Sequence, residues 1–161
     1  MDILRRADVH VVTVGVGTKE PIGAHGIAVC ADIAEDELDF YAMEGLVLPG
    51  GMPGTTNLEA SSVVQTAIGL AAERNLLIAA ICAAPSILGH AGYLRGRKAT
   101  CYPGFEQELS GATLCEKGVV TDGNIITASG AGVAVDFALE LVRILVSAEE
   151  AESIRRGIQC R

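Results

Sequence analysis

One thiol stands apart from the other polar groups of the chain. Cys82 ends the apolar run Leu76-Leu77-Ile78-Ala79-Ala80-Ile81 and is followed by Ala83, Ala84 and Pro85. The run reads as a strand buried on both faces of a parallel sheet, and Pro85 suits the first turn of a helix. A strand that passes through a tight turn straight into a helix forms a nucleophile elbow. Such a turn lifts one side chain over the end of the sheet, and it is crowded enough to require small neighbours. A cysteine there lies near a helix N-terminus, whose dipole and free N–H groups favour negative charge on sulfur. A thiolate in that position attacks carbonyl carbon or is oxidised by peroxide. The competing reading is an unpaired cysteine that merely packs as a small hydrophobe.

Two further segments bring glycine turns to strand ends. Leu46-Val47-Leu48-Pro49 runs into Gly50-Gly51, and Thr127-Ala128 runs into Ser129-Gly130. Glycine lets backbone N–H groups approach a bound molecule closely, and ligands collect beyond the carboxyl ends of strands in open parallel sheets. The histidines are less informative. His10 falls in the first strand and reads as structural. His90 lies eight residues beyond Cys82, roughly 12 Å away by helical rise, and reads as a helix-end residue. His25 sits in the turn Gly23-Ala24-His25-Gly26. The five cysteines are an odd number without CxxC spacing, which disfavours a disulfide framework and a zinc site and suits a reducing cytoplasm. Cys101 in a strand and Cys115 in a loop read as non-catalytic, and Cys160 as exposed.

The elements that must position these groups follow from periodicity. Asp2 to Ala7 reads as helical, and Val9 to Val16 as a β-branched strand. A short strand is expected at Ile27 to Cys30, with a solvated acidic connection over residues 32–39. Ser61 to Glu73 places Val64, Ala67, Ile68 and Ala71 on one helical face. Beyond the elbow helix come a strand at Lys98 to Tyr102 and a short helix at Gly104 to Leu109. A hairpin follows over Val119 to Thr127 with its turn at Asp122-Gly123. Helices are expected from Gly130 to about Val146 and from Ala148 to about Ile158. Alternating strands and helices indicate an α/β open, mostly parallel sheet covered on both faces. The 161 residues read as a single domain. A net charge of −8 without a basic stripe argues against nucleic acid, and no run is long enough to span a membrane.

Taken together, Leu48-Pro49-Gly50-Gly51, Ala79 to Pro85, Lys98-Ala99-Thr100 and Thr127 to Gly132 resemble the ThiJ/PfpI superfamily. The nearest branch is that of the Parkinson-disease protein deglycase. The resemblance implies a flavodoxin-like three-layer sandwich that forms homodimers, acts without a cofactor and oxidises readily at one cysteine. It assigns Cys82 as nucleophile and redox site, and the N–H groups of Gly51 and Ala83 as an oxyanion hole. It places Gly50, Ser129, Gly130 and His25 at the substrate pocket, His25 where the branch often has an arginine. Cys30 corresponds to a cysteine near the dimer contact in some members. The implied function is conversion of 2-oxoaldehydes or repair of glycated adducts. The alternatives are redox sensing or chaperoning through oxidation of Cys82, and a catalytically inert paralogue.

The chain departs from that pattern in two ways. Members carry an N-terminal strand, and a glutamate that donates to the cysteine, ahead of the segment matching Asp2 to Ala7. Motif alignment puts both before Met1, so the expectation is a misplaced start or a truncated chain. The peptidase branch has a histidine directly after the cysteine where this chain has Ala83, and the amidotransferase branch a late histidine where none follows His90. Both readings lose their general base.

Overall fold

The apolar run before Cys82 forms the central strand of the molecule. The structure, a computed structural model, describes residues 1–160. In chain order the elements are α1 (Asp2–Arg6), β1 (Val14–Gly15), β2 (Ile33–Ala34), β3 (Gly45–Leu48), α2 (Gly54–Ala60), α3 (Ser62–Glu73) and β4 (Leu77–Ile81). They continue with α4 (Pro85–His90), β5 (Lys98–Ala99), β6 (Thr113–Leu114), β7 (Val119–Asp122), β8 (Ile125–Ala128), α5 (Ala134–Leu145) and α6 (Ala148–Gly157). The main sheet has the order β3-β4-β8-β7. Leu48 pairs with Ala80 and Ile81 with Ala128 in parallel register, while β7 runs antiparallel to β8. Two shorter parallel pairs, β1-β2 and β5-β6, lie beside it.

Strand alternation divides the core in two. Leu48, Ile78, Ala80 and Ile125 pack on one face against Val64, Ile68 and Ala71 of α3 and Ile87 and Leu88 of α4. Ala79, Ile126 and Ala128 pack on the other against Phe137, Leu141 and Val142 of α5, Ile154 of α6 and Leu4 of α1. The result is the expected three-layer α/β sandwich with a mostly parallel sheet. Ala79 and Ala80 are fully buried; both helical layers close down on β4 because its middle residues are this small. The helices start where their sequences dictate: Ser61 Oγ accepts the Val64 N–H, Ser147 Oγ accepts the Glu150 N–H, and Pro85 opens α4. Among the described residues no helix is long and apolar enough to cross a membrane.

Several expected elements differ. The strand read over Val9 to Val16 is paired only at Val14–Gly15; Val9 and Val11 reach the core, while His10 and Val12 point outward. His10 is therefore an exposed residue and not a core one. The strand expected at Ile27 to Cys30 is an exposed arm with one antiparallel bridge, Ile22 to Ala28. Pairing with β1 falls later, at Ile33–Ala34, inside the stretch read as a solvated connection. Asp32 fixes that register: its carboxylate accepts the N–H and hydroxyl of Thr13 at 2.8 Å each and pairs with Arg5. The Thr13 donors hold its pKa below the usual carboxylate range. The segment after β5 stays extended without further ladder pairing, and the short helix expected at Gly104 to Leu109 is a 3-10 turn at Glu106–Glu108. The β7-β8 hairpin turns on Gly123-Asn124, since Asp122 itself pairs with Ile125. Gly123 takes the left-handed φ of +62° that this turn needs.

Candidate active site at the strand-to-helix elbow

Cys82 occupies the left-handed region, with φ at +66°. That conformation costs a non-glycine residue about 1–3 kcal/mol and persists only where its surroundings enforce it. Here two neighbouring segments clamp the turn. The Cys82 N–H donates to Ala128 O at 2.8 Å, and the Tyr102 N–H donates to Cys82 O at 2.8 Å. A third tie comes from α4, where the Ser86 hydroxyl donates to Ala83 O at 2.8 Å. The sequence-level elbow is thus present, and its strain is matched by specific hydrogen bonds on both sides of the cysteine.

The end of β3 presses against this turn. A methyl group at Gly50 would stand 2.4 Å from Ile81 O, 2.6 Å from Cys82 Cβ and 3.0 Å from Ala83 N. Only glycine allows that approach. Gly51 follows at φ +92°, and its carbonyl accepts the N–H and hydroxyl of Thr55 at 2.8 and 3.1 Å. Among the described residues the N–H groups of Gly51 and Ala83 have no acceptor. The Sγ of Cys82 likewise has no hydrogen-bond partner among them, and the residue is half-buried.

The third strand end completes the cluster. Ser129 donates its N–H to Gly118 O at 2.9 Å, directly after the carbonyl that holds Cys82. A methyl at Gly130 would meet the Tyr102 ring at 3.4 Å. Cys82, Ala83, Gly50, Gly51, Ser129 and Gly130 therefore gather at one end of the sheet. His25 does not share these ties; it stands on the exposed arm, in the turn closed by the Gly26 N–H to Gly23 O bond. His90 closes α4 and bridges Glu59 and Glu108 through its two ring nitrogens at 2.6 and 2.7 Å.

Two residues that the sequence did not connect to the elbow lie on a segment tied to it. Tyr102 carries the backbone donor to Cys82 and stacks its ring edge on Gly130. Cys101 is 6% exposed, and burial, then Glu106, then Cys82 push its thiol up to about 11. The segment bearing both is fixed by the Thr100 N–H, which donates to the buried Thr127 Oγ1 at 3.0 Å. A strand ending in a Pro103-Gly104 turn was the available signal; nothing local says that it crosses the elbow.

A match to the DJ-1/PfpI family extends over residues 1–144. The chain belongs to this family. Among the family's curated members, the protein dj-1beta of Drosophila melanogaster is 32% identical over 160 residues, covering 98% of this chain and 86% of that one. A deglycase of Pyrococcus abyssi is 35% identical over 126 residues, covering 76% and 75%. A glutathione-independent glyoxalase of Caenorhabditis elegans is 28% identical over 159 residues, covering 98% and 84%. In structure, oxidised DJ-1 of Toxoplasma gondii superposes with a TM-score of 0.93 at 31% identity, over 98% of this chain and 87% of that one. The fold and the family are those that the motifs implied.

Proposed function

We propose that this DJ-1/PfpI protein is a cofactor-independent cysteine enzyme of the deglycase or glyoxalase type, acting on 2-oxoaldehydes or glycated adducts. The supporting observation is the half-buried Cys82, held at φ +66° beside two uncommitted amide hydrogens. The Cys82 thiolate adds to the aldehyde carbon, and the carbonyl oxygen becomes an alkoxide that accepts from the N–H groups of Gly51 and Ala83. The proton on the former aldehyde carbon then moves to the neighbouring carbon through an enediolate, leaving a thioester. Water cleaves the thioester, releasing a 2-hydroxy acid and the thiol. Tyr102, whose ring stands against Gly130 beside the elbow, is assigned the proton relay. Ser129 and Gly130 line the substrate side; His25 is assigned there by family resemblance alone.

The exposed arm carries Ile22, Ile27 and Val29 at 72%, 70% and 43% exposure. A second copy covering it would form the homodimer expected for the family, near Cys30. The odd number of cysteines without CxxC spacing fits a reducing, cytoplasmic setting. The second reading, a redox sensor, is favoured by the half-buried, reachable thiol of Cys82 at the elbow. The named Toxoplasma relative was itself captured oxidised. Methylglyoxal turnover by the wild type and Cys82→Ser decides between them. Loss of turnover in the variant is expected, and equal rates would eliminate the enzyme reading.

A further inference from the structure

We propose that Cys101 is the resolving partner of Cys82, closing an intramolecular disulfide once a hydroperoxide has oxidised Cys82. The inference rests on the reading of Cys82 as the reactive thiol and adds a regulatory step to it. The geometry comes from one backbone bond. The Tyr102 N–H donates to Cys82 O at 2.8 Å, so the Cys101–Tyr102 peptide is tied directly to the elbow. Standard covalent lengths then put the Cα atoms of Cys82 and Cys101 roughly 5–7 Å apart, within the span a disulfide bridges. Cys101 packs in the same apolar cluster as Ala80 and Ala84, which flank Cys82 in the chain. After burial and Glu106, charge on Cys82 is the third contributor to the raised pKa of Cys101.

Exposure sets the order of events. Cys82 is half-buried and reachable, whereas Cys101 is 6% exposed. A hydroperoxide, ROOH, therefore meets Cys82 first. The thiolate takes one oxygen and releases ROH, giving the sulfenic acid. Cys101 first gives its proton to water, and its thiolate then attacks that sulfur; the S–S bond forms as the S–O bond breaks, and the departing hydroxide takes a proton from solvent to leave as water. Two electrons have passed from the thiol pair to the peroxide. Without Cys101 the sulfenic acid would meet a second hydroperoxide and pass to sulfinate, which thiols do not reverse.

The charged or titratable groups facing Cys101 are Glu106 and Cys82. They and burial keep its thiol protonated at neutral pH, so closure is slow there and quickens as pH rises. Below about pH 11 the rate of disulfide closure should rise with pH, following the Cys101 thiolate fraction.

The test is a small molar excess of hydrogen peroxide added to the purified protein at several pH values, then non-reducing peptide mass analysis with and without dithiothreitol. The expected result is a linked Cys82–Cys101 peptide that dithiothreitol opens, with a yield that climbs with pH. Cys101→Ala and Cys101→Ser, checked for native circular dichroism, should instead accumulate Cys82 with two added oxygens that dithiothreitol cannot remove. Sulfinate on Cys82 in the wild type at every pH, with Cys101 still free, would overturn the inference while leaving Cys82 reactive. A Cys82 that takes up no oxygen in any variant would overturn both this step and the reading beneath it.

Discussion

Replacing Gly50 by alanine tests how tightly the end of β3 positions the reactive cysteine. The added methyl would stand 2.4 Å from Ile81 O and 2.6 Å from Cys82 Cβ. Neither neighbour is the free end of a flexible side chain; one is backbone and the other the root of the cysteine. Restoring an ordinary contact of about 3.4 Å requires the elbow to retreat by about 1 Å, and a misplacement of that size costs on the order of 10²-fold in rate. Forcing an extra methyl into a packed site also costs about 1–3 kcal/mol of stability. Gly50→Ala should therefore lose about two orders of magnitude in kcat/KM for methylglyoxal while remaining folded, with a lowered urea midpoint. Gly69→Ala is the control, because a methyl there meets nothing within 4 Å in the middle of α3. It should leave turnover unchanged and raise stability by about 0.5–1 kcal/mol. A folded Gly50→Ala protein with wild-type kcat/KM would refute the argument that this contact holds Cys82 in place.

Two further substitutions probe the supports of the site. Thr127→Val removes the acceptor for the buried Thr100 N–H and should cost about 1–3 kcal/mol; an unchanged urea midpoint would show that the tie is dispensable. His90, hydrogen-bonded first by Glu108 and then by Glu59, has its pKa raised above the ordinary histidine value. Its protonated form is the stabilising one, so the contribution is complete below about pH 6.5 and is lost as pH rises through the raised value. The pairs are surface-exposed, so the effect is at most about 1 kcal/mol. Denaturation at pH 5.5 and 8.5 should show this drop in the wild type and not in His90→Gln; equal slopes would exclude the clamp.

The parts of the molecule that a single stretch determines were legible from the chain. The elbow follows from a long apolar run, one thiol and a proline in sequence. The core face of α3 follows from Val64, Ala67, Ile68 and Ala71. What escaped was set by partners distant in sequence. Val9 to Thr13 has strand composition, yet a single carboxylate, Asp32, decides where pairing begins. The helix α2 carries Leu58 as its one large apolar side chain, so periodicity could not reveal it. Tyr102 and Cys101 come beside the elbow only because their segment is tied to Thr127 and to the Cys82 carbonyl, contacts that no local pattern encodes.

The claim on which the functional reading depends is that substrate meets the sulfur of Cys82. Residue-resolved alkylation by iodoacetamide, with and without methylglyoxal, measures this directly. Cys82 should label ahead of the buried Cys101, and methylglyoxal should protect Cys82 alone, in a saturable manner. Labelling of Cys82 that is no faster than that of Cys101, or that methylglyoxal leaves unchanged, would contradict it.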